Sequence, residues 1–239
     1  MLRMPPGETR AVFFRGIGFS LRHFFVFGGK STMHILDLAK NKYKCFRRRL
    51  FLAKAKKHLK NKNFSLVASN CNGAAILHDL GLPFQSPFVN LWIKPQDFIK
   101  MLQSLEKYLE AELCFINEDG ISYPVAMLDD VKIYFQHYET EEDAREKWNK
   151  RKSRMDYDNL FVLFSDRDGC TEEDLIRFDN LPYIHKAVFV NRPYERIKSA
   201  VYIRGFENED SVGICMDYRK GFSYRKYYDD FDYVGWFNS

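Results

Sequence analysis

The stretch 64-FSLVASNCNGAAILHDLGLPFQSPFVNLWI-93 decides how this chain is read. Phe64–Ala68 is an apolar run of strand length. It stops at Ser69-Asn70-Cys71-Asn72-Gly73, where polar residues and a glycine gather. Gly73–Leu80 has the length and pattern of a short helix, with Gly81 after it and Pro83 beyond. A glycine takes the left-handed end of a helix, and a proline cannot extend one. Phe88–Ile93 is a second apolar run. Strand, polar turn, helix, turn and strand in that order are the repeating unit of an α/β fold.

Downstream the pattern continues. Pro95 suits the first turn of a helix whose apolar face carries Phe98, Met101, Leu102, Leu105 and Leu109. Leu113–Ile116 reads as a strand, and Tyr123–Leu128 with Val131–Gln136 as a hairpin across Asp129-Asp130. Thr140 is a helix cap followed by Glu141, Glu142 and Asp143, and Lys150, Arg151, Lys152 and Arg154 close that helix. Both ends suit the helix dipole. Asn159–Phe164 is the next strand, Thr171 with Asp174 the next capping pair, and Lys186–Val190, Ala200–Ile203 and Val212–Met216 the remaining strands. A Tyr- and Asp-rich tail follows to Phe237. The pattern predicts one layered α/β/α domain over 63–239, built around a mostly parallel, mixed sheet.

Upstream, Ile35 to about Lys60 has helical spacing, with Leu36, Tyr43, Phe46, Leu50 and Ala53 as its apolar stripe. Eleven Lys or Arg and no acid lie between Lys40 and Lys62; with these taken from the total of +5, the rest of the chain carries −6. The segment 33–62 is therefore a basic amphipathic helix. It fits an anionic membrane surface, or its stripe packs on the domain behind it. Nucleic acid is a poor partner, because the remainder is acidic and the helix carries no docking motif. Residues 1–32 read as a poorly ordered extension, with Met33 as an alternative start. Arg22 and His23 interrupt the apolar centre that a secretory signal needs. No apolar run reaches the roughly 18–20 residues needed to span a bilayer. The five cysteines form no C-x-x-C pair, which suits a reducing, cytoplasmic compartment.

Three polar clusters follow apolar strands: Asn70-Cys71-Asn72-Gly73, His137-Tyr138 and Asp166-Arg167-Asp168. Parallel strands would bring all three to the carboxyl edge of one sheet, where ligands of α/β folds bind. Cys71 at a helix start is a candidate nucleophile with a lowered pKa, or else a small buried residue. Asp166 and Asp168 at D-x-D spacing suit a divalent ion such as Mg²⁺ or Mn²⁺, or else cap the next helix. Ala144, Trp148, Arg151 and Met155 share one helix face, so Arg151 needs a partner: a substrate anion, or an internal acid such as Asp166 or Asp168. Arg154 lies one turn on. His137 reads as a neutral acid/base or a hydrogen-bonded core residue.

Several of these residues are similar to an ordered set of motifs. They run Ser69-Asn70-Cys71 with Gly73, His78-Asp79-Leu80-Gly81-Leu82-Pro83-Phe84, Ser86-Pro87, Asp97-Phe98 and Tyr123-Pro124. His137-Tyr138, Ala144, Lys147-Trp148, Arg151, Arg154, Arg167-Asp168, Phe178 and Leu181-Pro182 continue them. Together they resemble the bacterial domain-of-unknown-function family 1919, commonly labelled exopolysaccharide biosynthesis protein, over roughly residues 60–192. The resemblance implies an α/β domain linked to capsule or exopolysaccharide production. The leading expectation is a sugar transferase of polysaccharide assembly using a nucleotide-sugar or other diphosphate donor, cytoplasmic or peripheral at the inner membrane face. In it Asp166 and Asp168 hold a metal, His137 is the base, and Arg151, Arg154, Arg167, Trp148 and the Asn70, Asn72, Gly73 loop bind substrate. A cysteine-dependent acyltransferase or hydrolase at Cys71, and a non-catalytic binder of a glycan precursor, are the alternatives.

Overall fold

The computed structural model describes residues 31–239, with side chains from Leu38 onward. The extension expected over 1–32 lies outside them, apart from Ser31 and Thr32 at the start of a helix. The chain divides into two units, 1–38 and 39–239, and the second holds all the strands described. In order the elements are α1 (Ser31–His58), β1 (Ser65–Ala68), α2 (Cys71–Leu80), β2 (Trp92–Ile93), α3 (Pro95–Leu102), α4 (Leu105–Glu110) and β3 (Leu113–Ile116). Then come β4 (Val125–Leu128), β5 (Val131–Tyr134), α5 (Glu141–Lys152), β6 (Leu160–Ser165), α6 (Glu172–Asp179), β7 (His185–Val190), β8 (Ala200–Tyr202) and α7 (Tyr233–Phe237).

The strands form two sheets. One is four-stranded and wholly parallel, in the order β1-β6-β7-β8. The other is four-stranded and antiparallel, in the order β2-β5-β4-β3, and sits entirely within the crossover from β1 to β6. The α/β class holds, with the parallel and antiparallel pieces in separate sheets.

Strand alternation builds two cores, one on each face of the parallel sheet. Leu66, Ala68, Phe161, Leu163, Ala187 and Phe189 pack with α2 and the C-terminal residues Tyr228, Tyr233 and Phe237. Val67, Val162, Phe164, Val188 and Val190 pack with α3, α5, α6 and the antiparallel sheet. Each fully buried Val, Leu or Phe stabilises the fold by about 1.5–3 kcal/mol relative to an exposed one.

The 64–93 stretch folds largely as its sequence dictates. Helix α2 starts at Cys71, earlier than expected, because Asn70 caps it: the Asn70 Oδ1 accepts from the Asn72 N–H at 3.1 Å. Gly81 ends it at φ 69°. The second apolar run differs. Phe88, Val89 and Leu91 are buried, but Asn90 at φ 61° breaks the extended path and only Trp92–Ile93 pairs as a strand. The helix from Pro95 is likewise two helices, parted at Ser104 (φ −149°). Val212–Met216 is no strand, since Val212 gives its N–H to the Asp166 carboxylate.

The apolar stripe of helix α1 does not pack on the domain behind it, the second of its two readings. Tyr43, Phe46 and Leu50 point outward, 47, 59 and 53% exposed, while Arg48 faces inward at 5%. Arg48 is drawn in by acids far away in sequence: it ion-pairs with Asp79 of α2 and with Asp229 near the C-terminus. Tyr228 and Lys226 also bond Asp79. Burial alone would lower the Arg48 pKa, but the two carboxylates outweigh it and raise it.

Candidate functional site

The site forms where the two sheets meet. The Ile93 N–H of β2 donates to the Ser69 carbonyl at the end of β1, 2.9 Å away, so the antiparallel sheet leans on the carboxyl edge of the parallel one. The Asn70 amide donates to Ser165 Oγ at the end of β6, 2.6 Å away, and ties the two strand ends together. The Cys71 thiol points to the Leu91 carbonyl (3.9 Å), and the His137 N–H to the Asn90 carbonyl (3.4 Å).

The three expected clusters do converge, by a different route from the one predicted. β5 belongs to the antiparallel sheet, so His137-Tyr138 does not leave a parallel strand. It arrives through the Asn90–Leu91 turn. Tyr138 is buried, gives its hydroxyl proton to the Val89 carbonyl (2.8 Å) and accepts from Arg151 at 2.6 Å. It lies within electrostatic reach of Cys71, and so does Arg167 from the β6 side.

Two features give the site its chemistry. First, Arg151 and Arg167 are half-buried and pair with no carboxylate among the described residues. Arg151 bonds Tyr138 and lies 5.5 Å from the Phe84 ring centroid; Arg167 reaches only the Gly213 carbonyl, at 3.5 Å. The internal Asp partner considered for Arg151 is not used. Second, Ser69 and Asn72 are each only 4% exposed, yet their side chains make no hydrogen bond within the described residues. Their polar atoms keep contact with solvent, since neither is among the sealed, unpartnered groups. Buried polar groups are normally paired, so two left open at the junction of β1 and α2 mark a place that a ligand can satisfy.

Other candidates take different roles. Gly73 is a packing residue: a Cβ there would lie 2.6 Å from that of Ala68, so α2 can approach β1 only without one. Trp148 is core, 1% exposed and edge-on to Phe88 and Phe135, with no surface to offer a substrate. Arg154 is exposed and forms no ion pair among the described residues, one turn beyond Arg151. Asp166 is a backbone clamp: its two oxygens accept from the Val212 N–H (2.7 Å) and the Asn191 N–H (2.9 Å). Burial raises its pKa, and those hydrogen bonds oppose the rise. Asp168 is exposed at φ 59°. With Asp166 engaged on both oxygens, the D-x-D pair does not fit a two-ligand metal clamp, and no cluster of three potential metal ligands occurs among the described residues.

Cys71 departs from the expected low pKa. Burial pushes its thiol up to about 11, and Arg167 only partly opposes this. A thiol at that value is neutral at pH 7. His137 is exposed at the rim, its ring makes no hydrogen bond among the described residues, and partial burial lowers its pKa. It is therefore neutral and able to accept a proton at pH 7. Ser69 and Tyr138 lie in the polar stretches that the sequence marks but carry no assigned role there; their signal is position, directly after an apolar run and directly after His137.

These features define an α/β domain with an arginine-flanked polar site at the carboxyl edge of a parallel sheet. The chain belongs to the family described as Domain of unknown function (DUF1919), whose model matches residues 42–238. The match extends further than the 60–192 span of the motifs and takes in most of the basic helix and the C-terminal segment, the parts joined by Arg48 and Asp229. An uncharacterized protein of Haemophilus influenzae (strain ATCC 51907 / DSM 11121 / KW20 / Rd) is 48% identical over 193 residues, covering 80% of this chain and 93% of that one.

Proposed function

We propose that the chain is a sugar transferase of exopolysaccharide assembly whose donor carries a diphosphate. The observation that carries this reading is the arginine pair: Arg151 and Arg167 have no acid partner among the described residues and flank the open junction of β1 and α2 at Ser69–Asn72. Guanidinium groups bind phosphate oxygens bidentately, and such charge-assisted bonds are the strong ones. The start of α2 adds its positive dipole end beside them. Ser69 and Asn72 then contact the sugar or ribose hydroxyls, and His137 takes the acceptor proton. Charge on the diphosphate is met chiefly by the two arginines, with Asp168 free to join a metal that the donor itself carries.

The test is polysaccharide output in cells whose only copy is Arg151→Ala or Arg167→Ala, with folding checked by circular dichroism. Output should fall at least about tenfold, the loss expected when a charged hydrogen bond to the transferred group is removed. Unchanged output from folded protein would sink the reading.

A further inference from the structure

The outward face of α1 and the tip of a distant loop form one basic, apolar patch that the donor reading does not use. Tyr43, Phe46 and Leu50 fall within a narrow sector of the helix and are each about half exposed. On the same face, Phe46 and Leu50 wall an open groove facing Tyr224 and Val234, so the C-terminal segment does not cover them. The loop from Tyr218 to Lys226, closed by an antiparallel bridge between those two residues, lies alongside. It holds Phe222 out at 64% exposure, with the Lys40 ammonium 5.2 Å from its ring. Arg47 sits over the Tyr224 ring of the same loop, at 4.9 Å. Ten of the eleven Lys and Arg of the 40–62 segment are not buried, and no acid interrupts them.

Apolar side chains presented on two separate elements and ringed by positive charge have one natural solvent. We infer that this patch docks the protein on an anionic lipid surface, with Tyr43, Phe46, Leu50 and Phe222 entering the headgroup layer and the Lys and Arg residues resting on lipid phosphates. Charge complementarity and apolar insertion act together in such helices, and neither alone holds a protein firmly. A polyanion without an apolar interior, such as nucleic acid, would satisfy the charges and leave Phe46, Leu50 and Phe222 in water.

The experiment is co-sedimentation of the full chain with vesicles of phosphatidylcholine alone and with 30% phosphatidylglycerol, at low and high salt. Binding should appear only with the anionic lipid and weaken at high salt. Phe222→Ser and the pair Phe46→Glu with Leu50→Glu should each lower the vesicle partition by about tenfold or more. All these side chains are exposed, and an unchanged unfolding temperature will show that the fold survives. Absence of binding to anionic vesicles would overturn the proposal. So would binding that is indifferent to both variants, or tighter binding to an RNA oligonucleotide than to vesicles. The outcome is independent of whether Arg151 and Arg167 bind a donor.

Discussion

Arg48 and the pair Arg151–Arg167 are treated in opposite ways by the same chain. Arg48 is almost fully buried between two carboxylates. Arg151 and Arg167 are half-buried with a tyrosine hydroxyl and a carbonyl in place of an acid. A buried cation must be neutralised within the fold, whereas one that is only half-buried can take an anion from outside. The difference separates a cation that holds the structure together from cations available for binding.

The largest expected effect lies at the first region. Asp229→Ala leaves the buried Arg48 guanidinium with one acid fewer, and breaking a buried pair in this way costs about 3–5 kcal/mol. Urea unfolding should show a loss of that size, and a loss below about 1 kcal/mol would remove the distinction between the two regions. The same cluster makes a pH prediction. Burial would push the Asp79 carboxyl up, but hydrogen bonds from Tyr228 and Arg48 outweigh it and hold the pKa below the ordinary range. A carboxylate with a lowered folded pKa contributes stability above its unfolded value of about 3.9 and loses it as pH falls through the folded value. The stability gap between the wild type and Asp79→Asn should therefore stay constant from pH 8 to 5 and close below about pH 4. A gap that persists at pH 2 would mean that shape, not charge, carries the contribution.

The smallest effect is expected beside the second region. Cys71 is a neutral thiol at pH 7, so Cys71→Ser should leave polysaccharide output within about twofold, and iodoacetamide should label the wild type slowly at pH 7.5. Rapid labelling or a complete loss in Cys71→Ser would bring back a nucleophilic cysteine.

The same contrast marks where the sequence is legible. Local chemistry shows through: Asn70 and Gly81 bound α2, Thr140 and Thr171 cap their helices, and Asp129 turns the hairpin at φ 56°. Strand alternation assigns Val67 and Leu66 to opposite cores. What stays hidden depends on partners far along the chain. Helical periodicity favours the apolar stripe of α1 as the inner face, because nothing within the helix reveals that Asp79 and Asp229 will draw Arg48 inward. The D-x-D spacing cannot show that the backbone of Asn191 and Val212 will occupy Asp166. An apolar run such as Phe88–Leu91 is buried as expected, yet one left-handed Asn90 keeps it out of the sheet. The site was legible as three clusters, but the contact between the sheets at Ser69 and Ile93, which brings them together, was not.

Arg151 and Arg167 form no ion pair among the described residues, and the proposed role of both is to bind a diphosphate donor. The direct measurement is thermal unfolding of the wild type, Arg151→Ala, Arg167→Ala and Arg154→Ala against a panel of nucleotide-diphosphate sugars, with and without Mg²⁺ or Mn²⁺. A ligand at about 100 times its Kd stabilises the native state by about 2.7 kcal/mol, a shift that such a scan detects. A donor should raise the unfolding temperature of the wild type and of Arg154→Ala but not of Arg151→Ala or Arg167→Ala. Absence of a shift with every donor, or a shift equally large without either arginine, would contradict donor binding at these two residues.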